Sequence, residues 1–146
     1  MESFEFVTDT ATMCVFDPVA LRHRLDDDAD WWSIERDEIL EMNQGNVVFI
    51  DLGTDGKFAV KIGEIEDKEQ SVGCNIKCPS GRIFAGSGEE VTSDGCEPEG
   101  LRGGIFLIRE PGNYRVEVAR RSQNGITLYI KKTSEASNNF DALLRI

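Results

Sequence analysis

The single histidine of the chain, His23, is the first candidate for catalytic chemistry. A nucleophilic serine or cysteine needs a neighbouring base, but His23 stands between Arg22 and Arg24, and no serine lies in a nucleophile-elbow pattern. The segment Gly86-Ser87-Gly88 lacks the later glycine and the lysine of phosphate-binding loops. We therefore predict a surface histidine, no catalytic residue, no cofactor-binding residue and a protein that is not an enzyme.

The cysteines are candidate metal ligands. Cys74 and Cys78 are separated by three residues, and no second pair with zinc-ligand spacing accompanies them. A zinc site formed by Cys74, Cys78, Cys96 and His23 is an alternative. In a reducing cytosol, however, these cysteines and Cys14 are expected to be free thiols that pack as small hydrophobic residues.

Three aspartates have the spacing of the first ligands of a calcium loop, namely Asp26, Asp28 and Asp30. The sixth position of that loop requires glycine and is Trp31, and the twelfth is Asp37 instead of a bidentate glutamate. The segment is therefore not an EF-hand. An irregular calcium site remains an alternative, and our prediction is that no metal is bound.

The same aspartates directly precede the only two tryptophans, and carboxylates around large aromatic rings are typical of protein-recognition surfaces. Tryptophan side chains contribute strongly to binding energy, and acidic neighbours pair with arginine or lysine of a partner. In the alternative interpretation the tryptophans are core residues and the aspartates form a hydrated turn. We predict a partner-binding patch that consists of Asp26, Asp27, Asp28, Asp30, Trp31, Trp32 and Glu35.

The net charge of the chain is −11, from 27 acidic and 16 basic residues. Such a charge argues against binding to nucleic acid or to an anionic membrane, because both attract basic surfaces. It favours either solubility or rapid capture of a basic protein. No apolar run has the length of a membrane span, and the first residues lack the features of a signal peptide. We expect a cytoplasmic location.

The elements that position these residues begin with two predicted strands, at residues 4–8 and 11–16. Asp17 and Pro18 then indicate the start of a short helix, with Asp17 as its N-cap. A second helix is predicted over residues 31–43, with Ile39 and Met42 facing inward and Gly45 ending it. Both helices lie near the N-terminus, on either side of the acidic cluster.

The rest of the chain has the period of two that is typical of strands. The residues predicted to face inward are Phe58, Val60, Ile62, Tyr114, Val116, Val118, Ile126, Leu128 and Ile130. Turn signals predict a hairpin from residues 46–53 to 57–63 and another from 73–78 to 82–85. Further strands are predicted at residues 105–109, 114–121 and 126–132, with a turn at Asn124-Gly125 between the last two. A short C-terminal helix that contains Phe140, Leu143 and Leu144 is predicted to follow. We predict a single domain, residues 1–146, that is mainly β: an antiparallel β-sandwich or a flattened barrel.

Several segments of the chain resemble a family of small bacterial proteins encoded near type VI secretion genes. They are FVTDTAT at residues 6–12, FDP at 16–18, DWW at 30–32, FAGSGEEVT at 84–92 and PGNYRV at 111–116. The resemblance implies an immunity protein, which binds a cognate antibacterial toxin in the producing cell and blocks it. It implies no catalytic motif.

The resemblance and the acidity together predict a specific inhibitor. Its partner would be a cytosol-acting toxin, a nuclease or a nucleotide-targeting enzyme, bound one to one through its basic active site. Two alternatives remain. One is a secretion adaptor or chaperone for an effector, and the other is a calcium- or carbohydrate-binding β-sandwich.

Overall fold

The computed structural model describes residues 2–24, 26–27, 31–66, 71–92 and 97–146. These residues form two packed five-stranded sheets with a few short helices, which confirms the predicted β-sandwich; the sheets do not close into a barrel. The ten strands are β1 (Ser3–Thr8), β2 (Thr12–Phe16), β3 (Val48–Asp51), β4 (Gly56–Ile62), β5 (Ser71–Cys78), β6 (Arg82–Ser87), β7 (Ile105–Ile108), β8 (Gly112–Ser122), β9 (Gly125–Lys132) and β10 (Leu144–Arg145).

The strand order is β1-β4-β9-β8-β5 in the first sheet and β10-β3-β2-β6-β7 in the second. The pairings are antiparallel except β4 with β9 and β3 with β10, which are parallel. The chain changes sheets repeatedly, after β1, β3, β5, β7 and β9.

Both predicted hairpins that precede residue 100 are therefore wrong. β3 and β4 lie in different sheets, and so do β5 and β6. A turn signal shows that the chain reverses, but a reversing chain can either pair with the preceding strand or cross to the facing sheet. The Asn124-Gly125 turn was predicted correctly, since β8 and β9 pair as an antiparallel hairpin with one register shift.

The helices agree with prediction near the N-terminus. Residues Pro18–Arg24 form a 3-10 helix, and the Asp17 carboxylate accepts a hydrogen bond from the Val19 N–H at 3.0 Å, as an N-cap does. The second helical segment is a 3-10 turn, Trp31–Ser33, followed by α1, Glu35–Asn43. One further 3-10 helix spans Gly88–Thr92.

The predicted C-terminal helix is wrong. Residues 133–143 are all described and none is helical, and they lead into β10. Tertiary hydrogen bonds hold this segment in a non-helical conformation. The Asn138 side chain accepts from the Asn75 N–H and donates to the Asn75 carbonyl, both at 2.8 Å, and Asn43 exchanges similar bonds with the Phe140 backbone. These bonds satisfy polar groups that a helix would satisfy internally.

The core lies between the two sheets. The inward residues predicted for β4, β8 and β9 are buried or nearly so: Phe58, Val60, Ile62, Tyr114, Val116, Val118, Ile126, Leu128 and Ile130. Strand β3 is buried on both faces because the second helical segment packs against it, which agrees with its unbroken apolar sequence. The sandwich therefore leaves α1 on the outside of the second sheet.

Candidate partner-binding surface

The predicted partner-binding patch lies where the first 3-10 helix leads into α1. Asp26 and Asp27 are exposed in the turn after the 3-10 helix, and Glu35 is exposed at the first position of α1. Asp28 and Asp30 lie outside the described residues. The three described carboxylates of the patch are thus exposed, and in sequence they stand on either side of the two tryptophans.

The tryptophans belong to the core. Trp31 is 4% exposed and Trp32 is 9% exposed. Both rings contact Phe49 of β3, with ring centroids 6.1 and 6.3 Å apart, and the Arg24 guanidinium lies 4.6 Å from the Trp31 ring centroid. Their surface is thus used to fasten the helical segment to the sheet, and little of it is accessible to a partner.

A buried ionic network ties the 3-10 helix to α1. The Glu41 carboxylate accepts hydrogen bonds from Arg24 Nε at 2.7 Å, from Asn46 Nδ2 at 2.7 Å and from His23 Nε2 at 2.8 Å. Burial raises the pKa of Glu41, but these hydrogen bonds outweigh it and leave the pKa below its ordinary value. Glu41 is therefore ionised, and Arg24 is held in place.

Arg24 also reaches two carboxylates at the surface. Its guanidinium lies 2.9 Å from Asp27 and 3.5 Å from Asp37. These contacts tie Asp27 and Asp37 to Arg24, and they neutralise part of the charge of the two carboxylates.

His23 lies at a cleft of about 580 Å³, the other lining residues of which include Asn46, Lys77, Cys78 and Asn113. His23 is half exposed, as predicted for a surface histidine.

Desolvation, with a smaller contribution from Asp17, raises the pKa of the buried Cys78 thiol to about 12. The thiol is therefore protonated at neutral pH and is not an activated nucleophile.

Two exposed apolar residues of the second helical segment were not predicted from the sequence. They are Ile34, 48% exposed, and Leu40, 46% exposed, at the start and on the outer face of α1. Leu40 directly follows Ile39, and one helical residue is a rotation of about 100° away from the inward stripe. The position of Leu40 directly after Ile39 was the feature of the sequence from which its exposure could have been predicted. With Asp26, Asp27, Glu35 and Asp37, these two residues form what we call the α1 surface.

A small pocket of about 200 Å³ lies between α1 and the end of β3, and it contains an unusual carboxyl group. Glu38 is only 9% exposed, and no donor in the described part of the chain hydrogen-bonds to its carboxyl group. Desolvation raises the pKa of Glu38 to about 7, and the carboxylates of Glu35 and Asp51 add to the shift. The residues that line the pocket are Thr10, Thr12, Glu38, Phe49, Ile50, Asp51 and Leu143; we call it the Glu38 pocket.

Two segments that carry the family resemblance meet at the start of β2. The Glu89 carboxylate accepts hydrogen bonds from the Thr8 and Thr10 hydroxyls and from the Asp9 N–H, and it lies 3.6 Å from Arg102. Burial raises the pKa of Glu89, but these hydrogen bonds outweigh it and lower the pKa. The contacts fix the β1–β2 turn and are structural.

The described cysteines are buried free thiols, as predicted: Cys14, Cys74 and Cys78. Burial raises the pKa of each of the three, and that of Cys74 reaches about 12. The part of the chain that the structure describes contains no group of three or more histidine, cysteine or carboxylate side chains placed to hold a metal. Cys96 of the alternative zinc site, and Asp28 and Asp30 of the alternative calcium site, lie outside that part.

Among the described residues, no helix has the length and apolar character needed to cross a membrane.

Residues 1–146 match the model of the family of unknown function DUF6386. The chain belongs to this family. The match covers every segment on which the resemblance described above was based. No curated protein matches the sequence.

Two solved structures have a similar fold. The protein of crocagin biosynthetic gene J is 20% identical, with a TM-score of 0.54 over 88% of this chain and 96% of that one. ComJ from Bacillus subtilis, the inhibitor of the DNA-degrading activity of NucA, is 12% identical, with a TM-score of 0.51 over 89% of this chain and 92% of that one. At these identities the comparison shows a similar fold along most of each chain.

Proposed function

We propose that this DUF6386 protein is an inhibitor of the immunity type. It binds a cognate enzyme that acts on nucleic acid or nucleotides in the cytosol, and it blocks the basic active site of that enzyme in a one-to-one complex. The enzyme is an antibacterial toxin delivered by type VI secretion. The inhibitor itself carries out no reaction.

The observation that carries the proposal is the fold shared with ComJ. That protein inhibits a DNA-degrading activity, and the similarity extends over about nine-tenths of both chains. A fold alone does not determine function. The proposal therefore also depends on whether this chain has surface chemistry that suits such a partner.

The charge of the chain supplies that chemistry. Enzymes that bind nucleic acid present basic clefts to the phosphates. A protein of net charge −11 is attracted to such a cleft and approaches it faster than a neutral protein would. An acidic inhibitor thus uses the same field that guides the substrate.

The α1 surface is the proposed contact. It combines exposed carboxylates at Asp26, Asp27 and Glu35 with exposed apolar side chains at Ile34 and Leu40. Apolar residues surrounded by charged ones are the usual arrangement of a binding interface. Asp28 and Asp30 of the predicted patch adjoin this surface in sequence and remain part of the proposal. Trp31 and Trp32 fasten the start of the helical segment to Phe49 of β3.

The test is to mix the purified protein with the product of the neighbouring toxin gene and to measure the activity of that enzyme. We expect loss of activity at equimolar protein, together with a one-to-one complex in size-exclusion chromatography. A stable complex in which the enzyme remains fully active would instead indicate a secretion adaptor. Full activity without any complex would contradict the proposed function.

A further inference from the structure

The side chains that line the Glu38 pocket offer hydrogen-bond acceptors, and their two hydroxyl donors are already used. The Thr10 hydroxyl donates to Glu89, and the Thr12 hydroxyl donates to the Thr10 carbonyl. Asp51 already accepts from the Gly53 N–H at 2.8 Å and lies 2.9 Å from Arg145. No hydrogen bond joins the Glu38 carboxyl group to another described residue, and this largely buried group loses much of its hydration without gaining a protein donor.

We propose that the Glu38 pocket receives the cationic end of a lysine or arginine side chain from the inhibited enzyme, with the Glu38 carboxylate as its acceptor. This inference rests on the proposed function, because the basic side chain belongs to the partner. The pocket would add one specific contact to those of the α1 surface. Glu35 is the residue of that surface nearest to Glu38 in sequence.

The size of the pocket suits one such side chain. At about 30 Å³ for each water molecule in the liquid, the 200 Å³ pocket holds on the order of six or seven waters. That is sufficient for the apolar stem and the charged head of a lysine or arginine. The stem would lie against Phe49, Ile50 and Leu143, which supply the apolar part of the wall.

A bound metal ion is the main rival occupant, and the geometry does not favour it. The carboxylates of Glu35, Glu38 and Asp51 influence one another electrostatically. Yet among the described residues no three potential ligands are close enough to share a metal ion. A long side chain with several N–H donors needs only one well-placed acceptor, whereas calcium takes six to eight oxygen ligands.

The charges around Glu38 predict how the contact depends on pH. The negative charges of Glu35 on α1 and Asp51 on β3 both disfavour the ionised form of Glu38. Arg145 on β10, the nearby cation, is already paired with Asp51. Near neutral pH Glu38 is therefore only partly ionised. A cation that enters the pocket favours the ionised form, so binding releases a proton and strengthens as the pH rises.

The first experiment uses the isolated protein and needs no partner. Side-chain carboxyl carbons of ¹³C-labelled glutamate are followed by NMR during pH titrations with n-butylamine, n-butylguanidine or calcium chloride. We expect saturating amine or guanidine to lower the titration midpoint of Glu38 by about one pH unit. Calcium should have no such effect. A shift produced by calcium alone, or by none of the three, would overturn the proposal.

The second experiment uses the toxin-gene product with Glu38→Gln and the matched control Glu135→Gln, which neutralises an exposed carboxylate elsewhere. We expect Glu38→Gln to raise the dissociation constant about tenfold at pH 8 and less at pH 6. The control should have little effect. If the wild type inhibits the enzyme but both variants bind equally well, the pocket proposal fails and the proposed function stands. If the wild type does not bind the enzyme, the proposed function fails, and the partner-side-chain assignment fails with it.

Discussion

Glu38 and Glu41 lie about one turn apart on α1, and their surroundings have opposite effects on ionisation. Glu41 is buried, but three donors surround its carboxylate, and its pKa falls below the ordinary value. Glu38 is buried without a donor among the described residues, and its pKa rises to about 7. Burial by itself therefore does not determine the charge of a carboxyl group. The hydrogen bonds that accompany burial do.

The first prediction concerns the stability of Glu38→Gln as a function of pH. In the unfolded chain Glu38 ionises near pH 4.5, whereas in the folded protein it ionises near pH 7. Between these values the folded state holds the extra proton, so the wild type loses stability as the pH rises, and the loss is complete above pH 7. From pH 4.5 to pH 8 we expect the wild type to lose about 2 kcal/mol relative to Glu38→Gln.

This difference is measured by urea unfolding of both proteins at several pH values. Glu135→Gln serves as the control, because Glu135 is exposed and its substitution should leave the pH profile unchanged. A constant difference between wild type and Glu38→Gln across the range would show that the Glu38 carboxyl group ionises normally.

The second prediction separates core residues from contact residues on the same side of the molecule. Trp31→Ala should lower the free energy of unfolding by about 3–5 kcal/mol, because a large buried ring is removed. Leu40→Ala should leave stability nearly unchanged and weaken binding to the toxin-gene product about tenfold, as loss of an interface residue does. Chemical unfolding and calorimetric titration measure the two effects. Equal binding by Leu40→Ala and wild type would remove Leu40 from the interface.

At the scale of elements, the end of α1 shows how local and tertiary constraints meet at one residue. Gly45 has a φ of +75° and closes the helix in a Schellman arrangement, in which its N–H bonds to Met42 and the Asn46 N–H bonds to Glu41. A Cβ atom at Gly45 would lie 2.0 Å from the Ala136 carbonyl oxygen. The helix stop is thus also a packing point for residues 133–143.

The third prediction is that Gly45→Ala destabilises the protein by about 3 kcal/mol, from left-handed strain and from the clash with Ala136 together. Gly53→Ala is a matched control. Gly53 has a φ of +81°, and a Cβ atom added to it would meet no other atom within 4 Å. Gly53→Ala should lower the free energy of unfolding by about 1 kcal/mol, from left-handed backbone strain alone. Thermal unfolding of the two variants measures the difference. Equal midpoints would show that the segment around Ala136 shifts to accommodate the methyl group without loss of stability.

At the scale of the whole molecule, the question is whether the net charge or its location guides association. A charge of −11 produces a field around the entire protein, whereas the α1 surface concentrates carboxylates at one place. Reversing the same number of charges at two places separates these contributions.

The fourth prediction compares Asp26→Lys with Glu35→Lys against the control pair Glu66→Lys with Glu135→Lys. Each pair changes the net charge from −11 to −7, and all four positions are exposed. The α1 pair should slow association with the toxin-gene product about tenfold at low salt, and the control pair much less. Stopped-flow measurements at several salt concentrations provide the comparison. Equal slowing by both pairs would mean that net charge alone steers the encounter.

The sequence by itself determined the properties that depend on neighbours along the chain. Alternation of apolar and polar residues located most strands and their inward faces, such as Val116 and Val118 of β8. The residue types at the helix ends predicted Asp17 as the N-cap of the 3-10 helix and Gly45 as the residue that ends α1. These features were predictable because the interactions that produce them join residues only a few positions apart.

The tertiary structure decided which distant segments meet. It placed β3 and β4 in different sheets, buried both tryptophans against Phe49, and held residues 133–143 out of a helix through Asn138 and Asn43. It also assembled the Glu38 pocket from four separate segments of the chain. Local sequence patterns could not reveal these outcomes, because face-to-face packing and long-range hydrogen bonds depend on the path of the whole chain.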